Sequence, residues 1–167
     1  MEFTLRAWTP DDLDSLIKYA NNFEIAKNMT DQFPHPYTIA KGKAFIEHAS
    51  SGKPTNIFAI VVDNKAVGAI GIHPQSDIQR KNAEMGYWLA QPFWGNGIIT
   101  KAIIQMTDYA FKSFDIQRIF ARPFGSNIGS QKALEKAGYT LEGKFEKAFF
   151  KNNEFLDELI YAVRRKQ

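Results

Sequence analysis

The amino-acid sequence predicts an α/β sandwich of about seven strands and about four helices. Strand-like and helix-like apolar patterns alternate along the chain, and no repeat, low-complexity tract or linker interrupts them. A hairpin pattern occupies residues 57 to 72. Near residue 97, a glycine-bearing turn separates a strand-like run from an amphipathic helix pattern. These observations together indicate helices packed on a sheet.

The first third of the chain predicts one strand and two helices. Residues 3 to 7 alternate apolar and polar side chains, as a half-buried strand does. Residues 9 to 12, Thr-Pro-Asp-Asp, supply an N-cap, a proline at the first helical position and early carboxylates for a helix through about Asn21. Residues 22 to 37 contain two prolines and predict an irregular connection, after which Thr38 caps a second helix.

The middle of the chain predicts a hairpin and a further strand. Two apolar runs, at residues 57 to 62 and 66 to 72, flank the tight turn Asp-Asn-Lys at residues 63 to 65. A polar segment at residues 75 to 82 follows. The next strand is predicted over residues 84 to 90.

The last part of the chain predicts two helices and three strands. After the glycine turn, a helix of about four turns presents one apolar face. Residues 118 to 123 predict a strand, and Asn127 opens a helix that Gly138 ends as a C′ glycine. Two strands that turn at residues 151 to 154 complete the pattern. The apolar face of the long helix is formed by Ile99, Ala102, Ile103, Met106, Ala110 and Phe111.

Composition limits the class of protein. A chain of 167 residues with 44% hydrophobic and 23% charged positions suits one globular domain over residues 1–167. The absence of cysteine excludes disulfides, thiolate metal ligands and a cysteine acyl-enzyme. With no leader-like segment and no long apolar run, we expect a soluble, cytoplasmic protein without membrane contact. The small net charge of +3 fits an anionic ligand without selecting one.

The glycine turn is a candidate phosphate site. A helix start presents unpaired N–H groups and the positive end of its dipole, and Gly95 and Gly97 let a backbone approach an anion closely. The alternative is an ordinary structural turn. A Walker loop is not indicated, because Ile98 follows the second glycine where a lysine is needed. Thr100 likewise stands where the dinucleotide fingerprint needs glycine or alanine.

Four segments in the same order resemble one known family. They are residues 5 to 12 (LRAWTPDD), 33 to 38 (FPHPYT), 84 to 98 (EMGYWLAQPFWGNGI) and 127 to 139 (NIGSQKALEKAGY). They resemble the GNAT superfamily of N-acetyltransferases, in its RimJ/RimL-like branch. The resemblance implies a single N-acetyltransferase domain with a mixed, mostly antiparallel sheet that splays between strands 4 and 5. It also implies acetyl-CoA as co-substrate.

The resemblance also implies which residues bind the cofactor. The turn would hold the pyrophosphate, the strand before it would pair its backbone with the pantetheine, and Asn127 would hydrogen-bond the pantetheine. For Asn127 the alternative is a plain N-cap, and the two roles can coexist. The implied cofactor-binding residues are Trp88, Leu89, Ala90, Trp94, Gly95, Asn96, Gly97, Ile98, Thr100 and Asn127.

Glu84 is the candidate general base. It lies in an otherwise apolar strand pattern, so its carboxylate is expected to be partly desolvated, which makes a carboxylate more basic. It also matches the family glutamate that deprotonates the amine. The alternative is an edge-exposed glutamate, or one paired with Arg80 or Lys81.

Ser130 is the candidate general acid. Many family members carry a tyrosine seven residues after the asparagine, but Leu134 occupies that position here. Ser130 matches a serine of the RimJ/RimL-like branch near the thioester sulfur, and the alternative is a serine of the first helical turn. Phe149 stands near a position where some members of that branch have a glutamate, so their acceptor specificity does not transfer.

The predicted function is acetyl transfer from acetyl-CoA to a primary amine by direct attack in a ternary complex. The acceptor amine belongs to a protein N-terminus or a small molecule, and the protein is a monomer or a homodimer. A non-catalytic CoA-binding or sensor domain of the same fold is the alternative. No metal is expected, because the three histidines lack ligand spacing, and no nucleic acid is expected, because no stripe of aromatic and basic residues occurs.

Overall fold

The computed structural model describes residues 1 to 167 and contains seven strands and five α-helices. The seven strands form one sheet in the order β1-β2-β3-β4-β5-β7-β6. The strands are β1 (Thr4–Ala7), β2 (Ile57–Val62), β3 (Lys65–Pro74), β4 (Asn82–Leu89), β5 (Arg118–Ala121), β6 (Thr140–Lys151) and β7 (Glu154–Arg164). The helices are α1 (Leu13–Ala20), α2 (Phe23–Ala26), α3 (Ile39–Ser51), α4 (Ile98–Ser113) and α5 (Ile128–Lys136). The predicted α/β class with a mixed, mostly antiparallel sheet is confirmed.

The fifth helix is the one difference in the element count. Short α2 lies in the segment predicted to be irregular. Its start is fixed by Asn22, whose side-chain oxygen accepts a hydrogen bond from the Glu24 amide at 2.9 Å. Ile25 and Ala26 of this helix are buried. A single capped turn that buries two apolar residues leaves too weak a periodic pattern to be recognised from sequence.

The chain divides into two compact units. One contains Met1–Gly71 and Tyr87–Ala102, and the other contains Ile72–Gly86 and Ile103–Gln167. Strands β3 and β4 and helix α4 each run from one unit into the other. The interpretation of residues 1–167 as a single N-acetyltransferase domain stays a prediction. None of the helices combines the length and the apolar content that crossing a membrane requires.

The first unit is organised by the β2–β3 hairpin. Asp63 and Asn64 both have left-handed backbones, with φ of 47° and 61°, as a two-residue hairpin turn requires. Lys65, which the sequence placed in the turn, is the first residue of β3. β1 and β3 both pair with β2 in antiparallel fashion. The buried cluster of this unit combines residues of α1, α3, β2 and β3 with Trp8 and Trp88. The Thr38 hydroxyl accepts the Lys41 amide at 3.2 Å, which confirms the predicted cap of α3.

The second unit contains the parallel part of the sheet. β4 and β5 pair at only three positions, from Asn82↔Arg118 to Glu84↔Phe120, although β4 continues to Leu89. β4 and β5 therefore separate beyond Glu84 and Phe120, as the predicted splay between strands 4 and 5 requires. β7 pairs antiparallel with both β5 and β6.

Both predicted turns of this unit are present. Asn152 and Asn153 connect β6 to β7 with φ of 52° and 61°. Gly138, with φ of 93°, ends α5, and the Tyr139 amide donates to the Leu134 carbonyl at 2.9 Å. This is the bond across the end of a helix that a left-handed C′ residue permits.

The start of the first helical segment depends on one buried carboxylate. Asp12 accepts two bonds of 2.8 Å from the Arg6 guanidinium and one of 2.9 Å from the Thr9 amide. Burial raises the pKa of Asp12, but the bonds from Arg6 and Thr9 outweigh burial and hold this pKa below its ordinary value of 3.8.

We expect Asp12→Ala to lower the free energy of unfolding by about 2 kcal/mol, because it leaves two hydrogen-bonding partners without their acceptor. Urea denaturation measures this change. The control is Asp14→Ala at an exposed position of α1, for which we expect a change within about 0.5 kcal/mol. Equal effects of the two substitutions would contradict the assignment. The stabilisation by Asp12 is complete above pH values near 3.8 and is lost as the pH falls through the lower pKa of the folded chain.

Candidate active site

The turn between β4 and α4 has the backbone geometry that the sequence predicts. Gly95 and Gly97 have φ of 79° and 72°, in the left-handed region where residues with a Cβ are strained. A Cβ added at either glycine would meet no atom within 4 Å, so space lies over the backbone at both positions. The Lys101 amide donates to the Gly97 carbonyl at 3.2 Å, and the amides of residues 98 to 100 precede this bond at the start of α4.

Side chains of the turn hold this shape. The indole N–H of Trp94 donates to the Leu89 carbonyl at 2.7 Å. The Asn96 side-chain amide donates to the Phe93 and Trp94 carbonyls at 3.1 and 3.2 Å. The sequence analysis predicts a role for the backbone amides of Trp94 and Asn96. The side chains of these two residues contribute as well, because they fix the backbone of the turn.

The three residues at the end of β4 differ in what they can offer a ligand. The Ala90 amide donates to the Val67 carbonyl at 2.8 Å and the Ala90 carbonyl accepts the Phe93 amide at 3.0 Å, so both backbone groups of Ala90 already have partners. The Leu89 carbonyl already accepts the Trp94 indole. The Trp88 side chain is buried and lies edge-on to Phe33, with 6.0 Å between ring centroids.

Glu84 lies in a charged cluster that the sequence did not reveal. The Arg122 guanidinium donates to both Glu84 carboxylate oxygens, from Nε at 2.7 Å and from Nη2 at 3.3 Å. On its other side, Arg122 Nη1 lies 3.7 Å from a carboxylate oxygen of Glu158. The hydrogen bond to Glu84 is the main reason that the pKa of Arg122 is raised.

The partners considered for Glu84 from sequence are wrong. Arg80 donates to the backbone carbonyl of Asp77, and Lys81 pairs with Asp115. Basic residues that are close in sequence turn away from Glu84, whereas Arg122 follows the strand that pairs with β4. Because neighbours in register share a face and side chains alternate along a strand, Arg122 returns to the face of Glu84 two residues after Phe120.

A cavity of ≈ 400 Å³ opens beside this cluster. Its walls come from β4, β5, β7 and the connection before β4. They combine two carboxylates, two guanidinium groups, three amides and two apolar side chains. The lining residues are Gln75, Gln79, Asn82, Glu84, Arg118, Phe120, Arg122, Glu158 and Ile160.

Asn127 and Ser130 lie at the start of α5. The Asn127 side-chain oxygen accepts the Ser130 amide at 3.2 Å, which confirms the predicted N-cap. This bond occupies the Asn127 oxygen and uses the Ser130 backbone, not the Ser130 hydroxyl. Both residues are half-buried.

The side chains at two other positions discussed from the sequence, Leu134 and Phe149, pack against neighbouring residues. Leu134 is fully buried, so a tyrosine at this position would have to displace core atoms. The Phe149 ring lies edge-on to Phe124, with 5.4 Å between centroids. No group of three or more histidine, aspartate or glutamate side chains is arranged to hold a metal ion.

The comparisons with known proteins agree with this architecture. A family model described as the acetyltransferase (GNAT) domain matches residues 2–140. The chain therefore belongs to the GNAT family, and it is an acyltransferase by class. YokL of Bacillus subtilis, an SPbeta prophage-derived uncharacterized N-acetyltransferase, is 28% identical over 169 residues, covering 98% of this chain and 90% of YokL.

Three further known proteins are similar to the chain. The ribosomal-protein-serine acetyltransferase of Escherichia coli is 28% identical over 106 residues, which cover 64% of this chain and 59% of that protein. The chain also matches less than two thirds of the length of the Bacillus subtilis relative YdaF. The chain is also similar to the solved structure of the microcin C7 self-immunity acetyltransferase MccE in complex with acetyl-CoA and AMP. The sequence identity is 27% and the TM-score is 0.84, and the match covers 98% of this chain and 93% of MccE.

Proposed function

We propose that this chain is an acetyl-CoA-dependent N-acetyltransferase that transfers an acetyl group to a primary amine by direct attack in a ternary complex. The observation that carries the proposal is the turn at Gly95 and Gly97, with left-handed backbones, open space above them and a helix start behind them. Such a backbone binds a pyrophosphate through amides and the helix dipole. Membership of the GNAT family supports the same ligand.

In this proposal the turn residues Trp94, Gly95, Asn96, Gly97 and Ile98 present their backbone to the pyrophosphate of acetyl-CoA. The Thr100 hydroxyl adds a donor. The backbone groups of Trp88, Leu89 and Ala90 face the pantetheine. The hydrogen bonds that Leu89 and Ala90 already make within the protein reduce the number of bonds that these two residues can form with it. Asn127 donates a hydrogen bond to the pantetheine from its side-chain NH2 group, because its side-chain oxygen caps α5.

Glu84 is the proposed base. The amine must be neutral to attack, so Glu84 takes one proton from the acceptor, directly or through water. The nitrogen then forms a bond to the thioester carbonyl carbon, the carbon–sulfur bond breaks, and the electron pair leaves with sulfur. The bonded nitrogen still carries one proton more than the amide product, and this proton replaces the one that the thiolate takes up. Backbone amides of β4 that face the carbonyl oxygen would stabilise its developing negative charge.

Ser130 is the proposed donor of the proton that the departing thiolate takes up. A thiol is acidic enough for the thiolate to leave without an acid, so the gain from a donor is moderate. The N-cap arrangement leaves the hydroxyl out of the capping bond, which uses the Ser130 backbone.

The acceptor class rests on the relatives. The name of the Escherichia coli relative supports a protein amine, and the AMP bound with acetyl-CoA in the MccE structure supports a small-molecule acceptor. A panel of N-terminal peptides, polyamines, aminoglycosides and amino acids tests these classes with acetyl-CoA as donor and thiol release as the readout. Thiol release that depends on one amine class supports the enzyme, whereas acetyl-CoA binding without release for any amine supports the CoA-binding or sensor alternative.

We expect Gly97→Val to weaken acetyl-CoA binding by about 10-fold or more, about 1.4 kcal/mol, because a branched side chain strains the left-handed backbone and fills the approach to the amides. Isothermal titration calorimetry measures the affinity. Gly97→Asn separates the two causes, since asparagine tolerates the left-handed backbone and still adds a side chain. Gly138→Val, at another left-handed glycine with open space, controls for strain alone. Unchanged affinity in folded Gly97→Val would remove the turn from the site.

We expect Glu84→Gln to keep acetyl-CoA affinity and to lower kcat about 100-fold or more, with a flattened acidic limb of the pH–rate profile. Glutamine retains the shape, and its single amide oxygen can accept one of the two bonds from Arg122, so the substitution removes the base and keeps part of that contact. Glu142→Gln is the matched control, because Glu142 is also paired with arginines, Arg118 of β5 and Arg164 of β7. A native rate and profile for Glu84→Gln would leave Glu84 with a structural role.

We expect Ser130→Ala to lower kcat about 10- to 100-fold with little change in acetyl-CoA affinity, because it removes a proton donor and preserves the backbone cap. Ser130→Thr keeps a hydroxyl and should retain most of the rate. Steady-state kinetics across the pH range measures both. Parental turnover by Ser130→Ala at every pH would assign thiolate protonation to water.

A further inference from the structure

Arg122 is held between two carboxylates in a fixed orientation. Its Nε and Nη2 atoms approach the two oxygens of Glu84, and its Nη1 atom lies near Glu158. The contact with Glu84 is a two-point contact, which fixes the plane of the carboxylate as well as its position. The side chain of Glu84 is 26% exposed, so part of it still faces solvent.

The backbone on both sides of Arg122 is pinned to β7. Phe120 and Ala121 pair with Ala162 and Tyr161 in the β5–β7 ladder. The carbonyl of the next residue, Pro123, accepts the Leu159 amide at 3.1 Å. The backbone of Arg122 is therefore anchored on both sides by β7, the strand that also carries Glu158.

We propose that Arg122 is a positioning residue for Glu84, and that Glu158 holds the far end of the guanidinium while Glu84 changes charge. This inference rests on the proposed function, in which Glu84 takes a proton from the amine. Arg122 holds the resting carboxylate turned in one direction, in the wall of the cavity. It acts through Glu84 and has no role of its own toward the acceptor.

Glu158 gives the cluster a specific charge balance. Before proton transfer, two carboxylates surround one guanidinium, and the three groups carry a net charge of −1. When Glu84 accepts a proton, the remaining Glu158 carboxylate still balances Arg122, so no uncompensated cation is left in a partly buried place. The other cation of the cavity wall, Arg118, is paired with Glu142 and bonded to Asn82.

Steady-state kinetics of Arg122→Gln tests the proposal. We expect kcat to fall about 10- to 50-fold, because the base is no longer held in its productive orientation, while KM for acetyl-CoA stays within about two-fold. Arg122→Lys keeps the charge but not the two-point contact, and its kcat should lie between the parent and Arg122→Gln. Glu158→Gln should cause a smaller loss of kcat, about three- to five-fold.

A double-mutant cycle provides the decisive readout. If Arg122 acts through Glu84, Glu84→Gln/Arg122→Gln turns over as slowly as Glu84→Gln alone. A further loss equal to that of Arg122→Gln by itself would overturn the proposal, because Arg122 would then act independently. Parental kcat in folded Arg122→Gln would also overturn it.

The control is Arg164→Gln, another arginine that pairs with a glutamate on a neighbouring strand and does not line the cavity. Its kcat should equal that of the parent, and acetyl-CoA titration of each variant reports on the fold. The two proposals fail in different ways. A native rate for Glu84→Gln removes the base itself, whereas a slow Glu84→Gln with a parental Arg122→Gln removes only the role of Arg122.

Discussion

The short parallel ladder between β4 and β5 is the constraint on which the candidate chemistry depends. It ends at Glu84↔Phe120, so Glu84 is the last residue of β4 that this ladder fixes. Neighbours in register share a face, and Arg122 returns to that face two residues later. A slip of one residue would turn Arg122 to the opposite face and leave Glu84 without its guanidinium. Register therefore decides the surroundings of the candidate base.

Two arginine–glutamate networks lie along β5, and they differ in what they leave available. Glu142 accepts bonds from Arg118 and Arg164, and its pKa is lowered, chiefly by the bond from Arg118. Two cations on one carboxylate suit a link between strands. Around Arg122 the ratio is reversed, with two carboxylates on one cation. Only the second arrangement lets a carboxylate accept a proton while the guanidinium keeps a counter-charge.

The glycine turn illustrates how little tertiary support its backbone shape needs. Two left-handed glycines, an indole that bonds back to Leu89 and an asparagine that bonds two carbonyls define the turn from within. All of these bonds join residues that are at most five positions apart. Local chemistry of this kind is readable from the sequence, which is why the turn and the start of α4 were predicted at their observed place.

The sequence by itself determined the elements whose causes are local. The hairpin turns at Asp63 and Asn152, the caps at Thr38 and Asn127, and the glycine that ends α5 each follow from a few adjacent residues. Only the tertiary structure decided which groups meet. It paired Glu84 with Arg122, and it committed the Ala90 amide to Val67. The physical reason is that these contacts depend on strand order and register, which long-range packing fixes and neighbouring residues do not.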